Sequence, residues 1–422
     1  MSEIMQFITT IFISLGGIIK VVFRGWHIRK FLNFSNLLKL IFLYSACLIW
    51  IIVFETDYSK NFWSKSIKGG FSERRFSFYS TRDRIGEGVL YERMIVTANK
   101  LGYDYSAFQF PESLSRFWLT SHFYKVSTSI VNYIFKPQFN LALTHHVSIL
   151  PSGYNITYLN MPLDSLFKVN GNFISQLQHL EQYDAYVDLY SLLHTNNELL
   201  EKVISQTGVN KPIIALYFAK DEEEYQPLSF DKALVTGTLW GCNRGSLRIA
   251  QSLKKLADNG FLVGIGIEDY LGFLGKAYLG KMESFGNILE SLQNQQQKYG
   301  IALITHNQEH MLDGIPTSRI AEAVASGALV ISDQNKFLIK YFGESVLYYD
   351  AFAEPDQIYN TIKSHIQWAK NNPTEAHLKT QKAYKIFMDN FTIENQLDKL
   401  FFIIENYNDI ANTSFAFYSS LE

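Results

Sequence analysis

Short apolar runs bounded by glycine or polar residues recur along most of the chain and predict buried strands. In the second half the clearest are FLVGIGI, YGIALITHN and ALVIS, and segments with helical spacing lie between them. Continuous apolar runs of this length are typical of parallel strands that are covered on both faces. The alternation of such strands with helices predicts an α/β fold.

The first half shows the same alternation from Arg75 onward. RFSFYST is predicted to be a strand, a glycine loop and a long helix follow it, and further strand-like runs come later. The last run, KPIIALYFAK, leads into an acidic, proline-containing linker from Asp221 to Asp231. This composition predicts a domain boundary, with one domain at 73–230 and a second at 231–390.

The first 72 residues predict a membrane-associating helical region. Residues 1–23 are apolar but carry polar side chains along one helical face, which favours a helix in the plane of the interface. Residues 37–54 form an apolar run with Lys39 as its only charge, a helix of roughly 27 Å against a hydrocarbon core of about 30 Å. Basic residues flank this run equally, so the positive-inside rule gives no orientation. Two apolar helices of a soluble cap are the alternative.

The stretch GIPTSRIAEAVASGALVISD, at 314–333, predicts a turn, a capped helix and a buried strand. Pro316 fixes the backbone ahead of the helix, and the hydroxyl of Thr317 or Ser318 is placed to cap it. The loop 305–317 therefore lies at the carboxyl end of a parallel strand. Ligands of open α/β sheets bind at that end, where helix N-termini present N–H groups to phosphates.

Charged and polar side chains of this stretch suit a nucleotide. Glu322, one turn into the predicted helix, is placed to accept hydrogen bonds from two ribose hydroxyls. Arg319 is placed to pair with a diphosphate or with Glu322. His306 and Asn307 open the loop and are candidates for the same pocket.

RIAEAVASGALVISD, followed by FGESVLYYD, resembles the donor-side signature R-x-x-E-A-x-A-x-G-A of GT-B glycosyltransferases. The resemblance extends over roughly 233–406. It implies two Rossmann-like domains facing a cleft, the second holding a nucleoside diphospho-sugar, and a C-terminal helix, 391–422, that returns toward the first. It also implies that Glu322 binds the ribose. Many retaining members carry a second glutamate where Gly314 stands, so retention or inversion is not predicted.

The loop from Gly237 to Gly245 follows a predicted strand and precedes a helix, so it faces the same end of the sheet. The resemblance implies that Gly237, Thr238 and Arg244 contact the diphosphate. A bound anion explains an arginine at a helix N-terminus, where its charge otherwise opposes the helix dipole. The predicted donor-binding residues are Gly237, Thr238, Arg244, His306, Asn307, Pro316, Thr317, Ser318, Arg319 and Glu322.

Three residues of the first half are candidates for catalysis. His145 and His146 end a predicted strand, and a histidine at a carboxyl end that faces a cleft is suited to deprotonate an acceptor hydroxyl. Glu87 lies between two glycines in a predicted loop. These glycines do not complete a dinucleotide fingerprint, because Tyr91 takes the third position. A bonded loop histidine and a solvated turn glutamate are the structural alternatives.

Composition narrows the chemistry. A formal net charge of −2 over 422 residues gives no general attraction to nucleic acid. The two cysteines lie far apart, which predicts neither a disulfide framework nor a zinc site. The chain contains no Asp-x-Asp pair, the usual means of holding a divalent cation on a sugar-nucleotide diphosphate. We therefore expect no metal and no nucleic-acid partner.

Together these features predict an α/β protein of GT-B architecture that transfers a sugar from a nucleoside diphospho-sugar to an acceptor hydroxyl. The donor is a co-substrate, and we expect no other cofactor. Membrane association predicts a lipid-linked or envelope-glycan acceptor and a location at the cytoplasmic face of a bacterial inner membrane, or a Golgi type II arrangement in a eukaryote. A sugar-nucleotide epimerase of the same fold and a non-catalytic membrane-bound adaptor are the alternatives.

Overall fold

The computed structural model contains two compact units and two β-sheets. The first unit includes the described residues up to Tyr158, and the second includes those from Val187 onward. The predicted membrane-associating region, 1–72, lies outside the described residues except for Ser72. No helix within the described part is long and apolar enough to cross a bilayer. The structure describes residues 72–81, 85–110, 132, 135–143, 150, 153–159, 182–188, 211, 213–237, 247–281 and 288–406.

The first sheet has six strands. They are β1 (Arg75–Thr81), β2 (Asp104–Phe110), β3 (Phe139–Ala142), β4 (Tyr154–Leu159), β5 (Ala185–Asp188) and β6 (Ile213–Ile214). Their order is β2-β1-β3-β4-β5-β6, and β1 pairs in parallel with β2 and β3, as β3 does with β4. The predicted strand RFSFYST is confirmed as β1.

Helix α1 (Ile85–Leu101) corrects one prediction. The sequence around Gly86 and Gly88 predicts a loop, but both glycines and Glu87 lie in the first turn of this helix. Glycine has low helix propensity, yet helical stability comes mainly from packing an apolar face. Tyr91 and Met94 are buried on α1, and the Tyr91 ring lies 5.2 Å from that of Phe78 in β1.

The opposite face of the same sheet carries a buried polar row. Ser77 of β1, Asn140 of β3 and Asn155 of β4 are in register with one another and are all buried. Asn132 links the row: it accepts from the Ser77 hydroxyl and donates to Asn140 Oδ1 at 2.9 Å. A one-residue slip of any strand turns these amides to the other face, so the row fixes the strand register.

Substituting Asn140 with alanine is therefore expected to lower the free energy of unfolding by about 1–3 kcal/mol, because the substitution leaves the Asn132 amide without its buried acceptor. Denaturant titration of the two proteins measures this difference. The exposed Asn259, which bonds only within its own helix end, is the matched control, and its alanine variant should unfold like the parent. Equal midpoints for the parent and Asn140→Ala would contradict a role for the row.

The second sheet has five strands, and every neighbouring pair is parallel. They are β7 (Lys232–Gly237), β8 (Leu262–Gly266), β9 (Gly300–Ile304), β10 (Leu329–Asp333) and β11 (Leu347–Tyr349). The order is β11-β10-β9-β7-β8, so the chain goes from β7 to β8 on one side and later places β9 on the other side of β7. The border between β7 and β9 is a topological switch point, where open α/β sheets bind ligands.

Helices surround this sheet. The buried side chains of helices α2 (Leu247–Asp258) and α8 (Pro355–Asn371) form an apolar cluster with those of the strands. Strands β8, β9 and β10 are buried along their whole length. The predicted strands of the second half are thereby confirmed. The described helices are α2 (Leu247–Asp258), α3 (Glu268–Leu271), α4 (Ile288–Tyr299), α5 (Gln308–Asp313), α6 (Ser318–Ala325), α7 (Lys336–Tyr341), α8 (Pro355–Asn371), α9 (Pro373–Asn390) and α10 (Ile393–Glu405).

The segment between β6 and β7, residues 215–231, is called the connector below. It has no regular secondary structure apart from a parallel bridge between Lys220 and Thr392, the N-cap of α10. Ile393 N donates to Lys220 O at 3.0 Å, and Glu222 N donates to the Glu394 carboxylate. The first turn of α10 therefore holds the connector in place.

Candidate functional site

The turn between β9 and α6 is shaped by two caps and a glycine. The Asn307 side chain caps α5 by accepting from His310 N at 2.7 Å. Gly314 ends α5 with a φ of 71°, in the left-handed region that favours glycine. Thr317 is the N-cap of α6, which confirms the predicted helix start at Ser318. Of the two hydroxyls predicted to cap the helix, that of Thr317 does not, because its side chain makes no capping hydrogen bond.

Arg319 spans the switch point of the second sheet. Its guanidinium donates to Thr236 O in β7 at 3.2 Å and to Thr305 O, directly after β9, at 2.8 Å. These two carbonyls lie at the carboxyl ends of neighbouring strands. These two bonds fix the orientation of the guanidinium at the ends of the two strands.

Gly237 makes room for this arginine. Its φ of 97° lies in the region that favours glycine, and a Cβ at this position would lie 3.5 Å from Arg319 Cδ. Gly266, at the end of β8, approaches even more closely, since its Cβ would lie 2.2 Å from Gly237 O. The ends of β7 and β8 therefore pack closely against each other, and Gly237 also packs against the Arg319 side chain.

The residue after Thr305, His306, forms a buried pair with Asp333. His306 Nδ1 lies 2.7 Å from Asp333 Oδ1, and His306 N donates to Asp333 Oδ2 at 2.6 Å. The two side chains are 0% and 1% exposed. His306, a predicted donor-binding residue, is thus directed into the interior, where it joins the carboxyl ends of β9 and β10.

Asp333 and Asn335 are site residues that the sequence reasoning missed. Asn335 caps α7 by accepting from Phe337 N, and its amide donates to His310 O at 2.8 Å and Ile315 O at 3.2 Å. It therefore links α7 to His310 within α5 and to Ile315 just after that helix. The available signal was a carboxylate that ends an apolar strand and is followed by an asparagine before a helix.

Glu322 is 4% exposed and lies near the connector. Burial raises the pKa of the Glu223 carboxyl, the Lys220 ammonium lowers it, and the charge of Glu322 raises it further. Glu223 is held by an ion pair with Lys220 at 3.0 Å and by a hydrogen bond from Gln293. Glu322 thus adds its carboxylate to those of Glu223 and Asp221, which both pair with Lys220.

The structure describes only some of the other predicted site residues. Pro316 is buried and Ser318 is exposed at the start of α6. The Glu87 backbone lies in α1, but its side chain is outside the described part of the structure. Four further residues lie outside the described residues altogether: Thr238, Arg244, His145 and His146.

Comparison with known proteins gives a fold relationship. No protein-family model matches the sequence, and no curated protein matches it significantly. The trehalose-6-phosphate phosphatase N-terminal domain of Candida albicans aligns with 80% of this chain and 97% of its own, at a TM-score of 0.51 and 10% identity. The two chains share a fold. Sucrose-phosphate synthase from Thermosynechococcus elongatus aligns over 81% of this chain and 100% of its own (TM-score 0.48, 9% identity), and the pneumococcal O-GlcNAc transferase GtfA over 68% and 60% (0.44, 13%).

Proposed function

We propose that this protein is a GT-B glycosyltransferase that moves a sugar from a nucleoside diphospho-sugar to an acceptor hydroxyl. The observation that carries the proposal is the position of Arg319, whose guanidinium joins the ends of β7 and β9 at the switch point. The N-terminus of α6 lies beside it, since Arg319 is the second residue of that helix. A fixed cation and a helix N-terminus together favour a bound diphosphate.

Transfer of the sugar leaves negative charge on the departing diphosphate. Donors that are already oriented toward this charge lower the barrier because they need no rearrangement during the reaction. Two main-chain carbonyls hold the Arg319 guanidinium in this way. In the proposal Arg244 and Thr238 contribute from the loop after β7, and the absence of an Asp-x-Asp pair in the sequence supports a reaction without a divalent cation.

Glu322 is proposed to bind the ribose. Its support is the resemblance of RIAEAVASGA to the donor-side signature, in which this glutamate binds the ribose. An ionised carboxylate can accept a hydrogen bond from each of the two ribose hydroxyls. In the proposal His145 or His146 takes the acceptor proton, Glu87 lies near the reacting centre, and the N-terminal region brings the enzyme to a membrane that holds a lipid-linked or envelope-glycan acceptor.

Radiolabelled sugar nucleotides of several bases, incubated with the purified full-length chain and a membrane extract, test the proposal. Label in lipid or glycan supports sugar transfer, and its persistence in EDTA supports the metal-free form. Free epimerised nucleotide would replace transfer by epimerisation. Intact donor with every base would contradict both enzymatic functions and leave the adaptor.

Substituting Glu322 with alanine is expected to weaken binding of the preferred nucleoside diphosphate by about 1–3 kcal/mol, because a charged acceptor of two hydroxyl groups is lost. Isothermal titration calorimetry measures the change. Glu322→Gln, which keeps the volume of the side chain, should fall between the parent and the alanine variant. The exposed Glu375 on α9 supplies the control Glu375→Ala. Parent-like affinity in Glu322→Ala would remove Glu322 from the site.

A further inference from the structure

The connector contacts α6 at both ends of that helix. At the N-terminal end, the Tyr217 hydroxyl donates to Thr317 O at 2.6 Å. At the other end, Gly327 approaches the connector so closely that a Cβ would lie 2.5 Å from Gln226 O and 3.4 Å from the Tyr225 ring. The helix that carries Arg319 and Glu322 is therefore seated on this segment.

The Tyr217 phenol is itself fixed. The residue is 2% exposed, and its ring packs against Phe337 at 5.6 Å and Phe391 at 6.1 Å between centroids. Its backbone N–H donates to Gln396 Oε1 at 2.9 Å. The phenol oxygen on such a ring is held in one position, so Thr317 O meets a donor whose place is fixed.

The bonded carbonyl belongs to the peptide that opens α6. Thr317 O also accepts from Ile320 N at 2.9 Å, which forms the first turn. The peptide between Thr317 and Ser318 is planar and trans, so its N–H points opposite to its carbonyl. Fixing Thr317 O against Tyr217 therefore directs Ser318 N–H away from the phenol. The Thr317 side chain makes no cap bond that would fix this peptide instead.

We infer that Tyr217 is a positioning residue for the donor: through Thr317 O it sets the orientation of the first turn of α6 and hence of the N–H groups and Arg319 that hold the diphosphate. The inference rests on the proposed function for its ligand. Tyr217 touches no substrate and acts through Thr317. Of the connector, Tyr217 alone is assigned this role.

Tyr217→Phe tests the inference, because it removes the hydroxyl and keeps the packed ring. The matched control is Tyr225→Phe on the same connector, which removes a hydroxyl paired with Thr380 Oγ1 at 2.8 Å, away from the first turn of α6. Hydrogen–deuterium exchange of the full-length chain without ligand gives the first measurement. We expect roughly fivefold faster exchange in peptides covering 317–322 for Tyr217→Phe and parent-like exchange there for Tyr225→Phe.

Calorimetry with UDP, GDP, ADP and dTDP gives the second measurement. For whichever of these binds the parent, the affinity of Tyr217→Phe should fall by roughly three- to tenfold, with the affinity of Tyr225→Phe unchanged. Unaltered exchange in 317–322 would overturn the inference, as would faster exchange spread over the whole second unit or unaltered affinity despite faster local exchange. If the parent binds none of the four, the proposed function fails, and the exchange measurement alone decides whether Tyr217 fixes the turn.

Discussion

Replacing Arg319 with alanine is expected to lower kcat/KM for sugar transfer by about 10²–10³-fold, the range found when one preorganised charge-stabilising donor is removed. The guanidinium is held at the switch point by Thr236 O and Thr305 O, so in the proposed site its charge would meet the diphosphate without reorganisation. The loss should appear in kcat as well as in donor affinity, because charge grows on the leaving group in the transition state. Initial rates with the labelled donor and acceptor measure both.

Two variants separate this role from a structural one. Arg319→Lys keeps the positive charge but lacks the planar fork that reaches two carbonyls, so it should recover only part of the rate. Arg248→Ala removes another arginine that donates to a main-chain carbonyl, Phe352 O at 2.8 Å, and should transfer sugar like the parent. If Arg319→Ala has parent-like rates and only a lower unfolding midpoint, Arg319 joins the strands and takes no part in donor binding.

The second sheet was predictable because its signals are local. The runs that become β8, β9 and β10 are apolar throughout, since both faces of each strand are covered. Gly327, two residues after the end of α6, has a φ of 78°, in the left-handed region that favours glycine after a helix. Each of these features can be recognised from a few consecutive residues.

The contacts that shape the candidate site were not predictable, because they join residues that are distant in sequence. Tyr217 and Thr317 are separated by 100 positions, and His306 and Asp333 by 27. A local capping rule predicted that the hydroxyl of Thr317 or Ser318 caps the helix, and Thr317 is the N-cap, but its side chain makes no capping hydrogen bond. Partner choice across such distances depends on the sheet order, which places β9 beside both β7 and β10.

Asp333→Ala is expected to lower the free energy of unfolding by about 2–6 kcal/mol, because two buried groups of His306 each lose an acceptor at a cost of roughly 1–3 kcal/mol. The Asp333 carboxylate accepts hydrogen bonds from His306 N and His306 Nδ1, and the Asp333 side chain is 1% exposed. Its loss leaves two buried groups of His306 without their acceptor. Urea denaturation followed by circular dichroism measures the difference, and the slope of the transition shows whether the native state remains compact.

A surface aspartate provides the matched control. Asp356 pairs with Lys255 at 2.7 Å but is 79% exposed, and an exposed ion pair contributes about 0–1 kcal/mol. Asp356→Ala should therefore unfold close to the parent, and Asp333→Asn, which keeps one acceptor oxygen, should lie between the two alanine variants. His306 also opens the loop that ends at α6, the helix proposed to bind the donor, so Asp333→Asn should weaken nucleotide binding in buffer without urea, where it is fully folded. A cost below 1 kcal/mol for Asp333→Ala would show that the pair does not hold β9 and β10 together.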